Sequence, residues 1–104
     1  MPFIQEPMHY QKTVLSDLQG SWTQLRDAVV TNFDFDNVEK LLFHIDEAMS
    51  WESVRNLANM KATFILIRNI ALQSQAPKAV LEAIDQVQDD LEETIQALAD
   101  GKID

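Results

Sequence analysis

The side chains able to do chemistry are unevenly spread along this sequence. His44 precedes Glu47 by three residues, so on a helix the two share a face and can offer two metal ligands. Carboxylate-bridged di-iron bundles place a Glu three residues before the His. Here Leu41 holds that position. His9 is the only other histidine and stands in a separate segment, so ligands are too few and neither a metal nor a cofactor is expected. Lys61 and Arg68 are seven apart, on one helical stripe with Val54, Leu57, Phe64 and Leu72. Their stems can pack while their heads reach water or carboxylates of a neighbouring helix. In a sharper reading they border an internal pocket with His44, and the chain is a small helical enzyme or ligand binder.

Nucleophilic catalysis has little to rest on. There is no cysteine, and Ser16, Ser21, Ser50, Ser53 and Ser74 sit in no nucleophile motif. Gly20 and Gly101 are the only glycines, so no Gly-rich phosphate loop exists. The inventory points away from an enzyme.

The strongest charged pattern lies near the C-terminus. Glu82, Asp85, Asp89, Asp90, Glu92 and Glu93 follow one another with no Lys or Arg between Lys78 and Lys102. Residues 77–104 hold 8 acids and 2 bases, a net charge of −6 out of −9 for the whole chain. Acids three and four apart on a helix repel, by a few tenths of a kcal/mol per pair. An ordinary solvated face mixes the two signs. The six acids are therefore the candidate partner-binding residues, a docking surface for a basic or groove-bearing protein. The competing reading is a nucleic-acid mimic whose carboxylate row blocks a DNA- or RNA-binding site.

These residues need elements to position them, and the spacing of apolar residues supplies four helices. Val14, Leu18, Trp22, Leu25 and Val29 recur at 4-4-3-4 and predict a helix over about 10–31. Gly20 is a weak point in it, and Ser21 to Gln24 has the form of a capping box. A single helix is favoured, because an interior Gly costs only about 1 kcal/mol. Asn32 to Asp36 breaks the pattern. Asp36 and Glu39 form a second capping box, opening a helix over about 37–49 with Val38, Leu41, Leu42, Ile45 and Met49 inward. One or both of Phe33 and Phe35 in the break are expected to close the end of the core. Ser50 is read as the cap of a third helix over about 51–73, with Glu52 in its first turn. Pro77 opens a fourth helix over about 77–99, with Val80, Ile84, Val87, Leu91, Ile95 and Leu98 inward and Gly101 as its stop. Residues 1–9, with Pro2 and Pro7, read as an extended arm carrying Phe3, Ile4 and Met8.

The expected architecture is an all-α, antiparallel-type four-helix bundle, with residues 10–104 as one domain. The third pattern is apolar on all sides, which is unusual for one helix of a small bundle. Its neighbours must wrap it, or its outer face must meet another chain. A homodimer or a place in a complex is the expectation, with Phe43, Met60, Phe64 and Ile67 as candidate interface residues. Charge narrows the partners further. At −9 the surface repels phosphate backbones and anionic lipid, so neither direct nucleic-acid nor membrane binding is expected. No basic stretch followed by an apolar one opens the sequence, so the cytoplasm is the default location. The functional expectation is a small acidic protein that binds and modulates another protein. Inhibitors, immunity or antitoxin-like proteins, anti-defence factors and assembly chaperones all fit that description.

Overall fold

Apolar residues spaced three and four apart fold the chain into four helices. A computed structural model describes the backbone of residues 2–53 and 56–101, and the side chains of 14–51 and 56–101. The helices are α1 (Pro2–Thr31), α2 (Val38–Ser53), α3 (Leu57–Gln73) and α4 (Lys78–Ala99), with no strand among the described residues. α1 packs along α4 and α2 packs along α3, while the two pairs meet more sparsely through α1–α2 and α3–α4. Among the described residues, no diagonal pair of helices makes backbone-level contact. The result is a four-helix bundle.

α1 runs unbroken through Gly20. Ser21 does not open a new helix. It is buried, and its hydroxyl donates to the Leu18 carbonyl at 3.0 Å, inside the same helix. The expected arm over 1–9 is not extended, because α1 starts at Pro2. Pro2 suits a first helical position, where the missing N–H has no partner to lose. Pro7 removes only one helical bond, to the carbonyl four residues before it. The side chains of Phe3, Ile4, Met8, Glu52 and Val54 lie outside the described residues.

The break before α2 is set by Asn37, not by Asp36. Asn37 sits at φ 63°, a left-handed conformation that Asn tolerates, and its carbonyl accepts from Leu41 N–H at 2.9 Å. Its side-chain amide donates to Ser74 Oγ at 2.9 Å, tying the α1–α2 connection to the α3–α4 connection. Phe35 packs on the core and Phe33 stays half exposed, so one of the two aromatics closes this end.

The boundary between the second and third helices is shifted from Ser50. Both Ser50 and Asn56 have capping side chains. α2 continues through Ser50 and Trp51, and Trp51 reaches the core from inside the helix. Asn56 is the cap of α3, its Oδ1 accepting from Asn59 N–H at 3.1 Å. At the other end of α3, Ala76 N–H donates to Ala71 O at 3.0 Å and Gln75 N–H to Leu72 O at 3.3 Å. This is a Schellman stop, with Gln75 at φ 55° in the place Gly usually takes. Pro77 caps α4 from just outside it, accepting from Val80 and Leu81. Gly101, at φ 76°, follows its last turn as the sequence requires.

The core runs through all four helices. Leu18, Trp22, Leu25 and Val29 meet Leu41, Ile45, Met60, Phe64, Ile67, Val80, Ile84, Val87 and Leu91. Trp22 is fully buried, and the ring of Phe64 stands at 80° to it with centroids 6.1 Å apart. The Trp22 indole N–H has no nitrogen or oxygen partner among the described residues. Beyond Leu91 the buried face of α4 turns. Thr94 and Ala97 are buried, whereas Ile95 is only partly covered and Leu98 is exposed. Ala97 meets Val14 of α1 there, because this last stretch of α4 follows α1 rather than α3. The Thr94 hydroxyl is satisfied by the Asp90 carbonyl at 2.8 Å.

Candidate functional site

α4 is amphipathic because its apolar residues recur at 4-3-4 from Val80 to Leu91, which turns most of the acids between them outward. Glu82, Asp85, Asp89, Glu92 and Glu93 are exposed, and Asp90 is partly covered. At 3.6 residues per turn, the five exposed acids share one stripe opposite Val80, Ile84, Val87 and Leu91. From Glu82 to Glu93 that stripe is about 16 Å long at 1.5 Å per residue. Asp90 lies on the flank toward α1, beside Asp17, Gly20 and Gln24. Glu92 lies on the opposite flank, beside Lys61 and Arg68 of α3.

Almost nothing neutralises these charges. Lys78 approaches Glu82 at 3.8 Å, but both side chains are largely in water. Amides stand where cations would help. Gln86 donates to Asp90 at 3.2 Å and Gln88 to Glu92 at 3.3 Å. Gln96 does the same to Asp100 at 3.0 Å. The helix dipole is left unmatched as well. The first turn of α4 holds no acid and its last turn no base, so neither end is matched by charge. This arrangement stabilises the helix less than a mixed face would, so helix stability is no reason for it.

The other candidate residues do not converge. His44 Nδ1 and Glu47 Oε1 are 3.0 Å apart, and the carboxylate can only accept, so the ring donates. The His44 ring packs edge-on against Phe43, with centroids 5.2 Å apart. No group of three or more His, Cys, Asp or Glu that could hold a metal ion occurs among the described residues. Lys61 and Arg68 border a surface groove between α3 and α4, not an internal pocket, and His44 is not part of it. The groove's volume is about 130 Å³, well short of the roughly 300 Å³ of the smallest usual ligand pockets. Arg26 is engaged elsewhere and bonds Asp46 at 2.9 Å across α1 and α2.

The expected oligomer interface needs correction. Met60 and Ile67 are fully buried and Phe64 nearly so, all in the chain's own core, so they are not available to a second chain. Phe43 is 65% exposed and remains open. The outer face of α3 is made of other residues. Ile65, Leu66 and Leu72 are 50%, 41% and 51% exposed, with Ala58 and Ala62 exposed beside them. A pattern apolar on every side does not tell which third of the helix the neighbours cover. Among the described residues, no helix is long and apolar enough to cross a membrane. No family model matches the chain, and no curated protein or solved structure matches it either.

Proposed function

We propose that this chain is a non-enzymatic interaction protein that docks a basic or groove-bearing partner protein through the acidic stripe of α4 and modulates that partner. The observation that supports this reading is the stripe itself, five exposed carboxylates on one face with, among the described residues, a single weak ion pair. Such a surface attracts a cationic partner from a distance and orients its approach. The lack of compensation leaves the carboxylates free to pair with lysines or arginines brought by the partner. Ordinary helix economy would scatter cations among them.

The test is co-purification from host extract after nuclease treatment, comparing the natural chain with the triple variant Asp85→Lys, Asp89→Lys, Glu93→Lys. All three positions are exposed, so the helix content read by circular dichroism is expected to stay the same. The natural chain is expected to retain a stoichiometric protein that survives nuclease. That protein should elute as salt rises from about 0.1 M to about 1 M, where the screening length falls from about 10 Å to about 3 Å. The triple variant is expected to lose it. A variant that holds the same partner as firmly as the natural chain would remove the stripe from the docking surface.

A further inference from the structure

The side of the bundle formed by α3 and α4 carries three zones. Its floor is apolar, with Ile95 partly exposed over the buried Phe64 and Leu91. The α3 rim is basic, with Lys61 and Arg68, and α3 from Leu57 to Gln73 contains no acid at all. The α4 rim is acidic, with Glu92 and the stripe behind it. Neither Lys61 nor Arg68 makes an ion pair with a carboxylate in the described residues, although Glu92 borders the same groove. Beyond the α3 rim, Ile65 and Leu72 continue the apolar surface outward. This side is thus unpartnered within the chain, and its two rims are opposite in charge.

Those rims select the occupant. The four-residue connection 74–77 makes α3 and α4 antiparallel neighbours. Two copies facing each other across this side can be related by a two-fold axis along the helices or across them. An axis across the helices lays α3 on α3 and α4 on α4, setting cations on cations and acids on acids. An axis along the helices lays α3 of each copy on α4 of the other, so each basic rim meets an acidic one and the floors close together. We infer that the α3–α4 side is a self-association surface whose occupant is a second copy of this chain, with Lys61 and Arg68 of each copy set against Glu92 of the other. The contact is isologous and closes on itself, so the assembly stops at two. The face is about 25 Å long and two helices wide, on the order of 500 Å² per copy, which belongs to weak, concentration-dependent dimers. The inference does not rest on the acidic-stripe reading. Glu93 lies about 100° around α4 from Glu92, on the side away from α3, and stays free for another partner.

Sedimentation velocity of the purified full chain, with no partner present, tests this. The natural chain is expected to shift from monomer toward dimer between about 10 and about 500 µM. Ile65→Glu puts a charge at the apolar edge of an exposed position and is expected to weaken the dimer by about tenfold or more, with unchanged circular dichroism. Lys61→Glu with Arg68→Glu is expected to weaken it comparably, and adding Glu92→Lys is expected to recover most of the loss. A natural chain that stays monomeric over the whole range overturns the inference. So does a Lys61→Glu, Arg68→Glu variant that associates as well as or better than the natural chain, because that result places α3 against α3. Failure here leaves the acidic-stripe reading standing, since that reading is scored on partner binding at Asp85, Asp89 and Glu93.

Discussion

α3 and α4 are adjacent helices that meet water in opposite ways. α4 buries Val80, Ile84, Val87 and Leu91 and turns five carboxylates outward. α3 buries Met60, Phe64, Ile67 and Ala71 and turns Ala58, Ala62, Ile65, Leu66 and Leu72 outward. α4 could hardly be read the wrong way round, because its polar and apolar residues separate cleanly. α3 carries apolar side chains on its outer face as well as on its inner one, so its pattern separates the two faces less sharply. Packing and not patterning therefore decides which of its residues are core. One helix keeps more charge than stability calls for, and the other more exposed apolar surface.

The largest test of that contrast compares two isoleucines two residues apart. Ile67 is fully buried and Ile65 is half exposed. Ile67→Ala removes a packed side chain and leaves a cavity, at about 2–5 kcal/mol. Ile65→Ala removes a half-exposed side chain and leaves none, and is expected to cost under about 1 kcal/mol. Urea unfolding of the two variants at low protein concentration measures both. Equal losses would mean that α3 is rotated from the orientation described here.

The same contrast explains what was legible in advance. Four helices, their order and nearly all of the α1, α2 and α4 cores follow from apolar spacing alone. The carboxylate row on α4 was equally plain, because nothing basic interrupts it. What resisted reading were places where two local solutions compete. Ser50 and Asn56 both cap well, and the choice went to Asn56 because Trp51 packs on the core from within α2. Asp36 and Asn37 compete in the same way, and Asn37 prevails by taking φ 63° and bonding Ser74. The exposed edge of α3 was not legible, since Met60, Phe64 and Ile67 are as apolar as Ile65 and Leu72. The turned end of α4 was hidden too, because Thr94 and Ala97 look less apolar than the Ile95 and Leu98 they displace.

The joint between the two helices offers the next effect. Gln75 holds φ 55° at the Schellman position after α3, where an L side chain crowds its own carbonyl by roughly 1–2 kcal/mol. Gln75→Gly relieves that crowding, while its greater freedom in the unfolded chain returns part of the gain. A net stabilisation of about 1 kcal/mol is expected, seen as a rise in the urea midpoint with unchanged slope. A loss of stability would show that the Gln75 side chain contributes more at the joint than its backbone strain takes away.

The smallest effect bears on why α4 is so acidic. Asp89 has Asp85 four residues before it and Glu93 four residues after it, all three exposed. Each such like-charge pair destabilises a helix by about 0.2–0.5 kcal/mol, and each opposite pair stabilises it by a similar amount. Asp89→Lys converts both pairs at once, each by about 0.4 kcal/mol at the low end of that range, so it is expected to stabilise the fold by about 0.8 kcal/mol at low salt. The gain should shrink toward zero near 1 M salt, where charges more than about 3 Å apart are screened. Thermal unfolding at the two salt concentrations measures it, with Ile65→Ala as the comparison whose effect should not follow the same screening. A stabilised variant that has lost its protein partner would identify the row as a feature kept for binding against the interest of the helix. If Asp89→Lys destabilised the fold at low salt, the row would instead be satisfied by something within the chain, and the case for a docking surface on α4 would lose its physical basis.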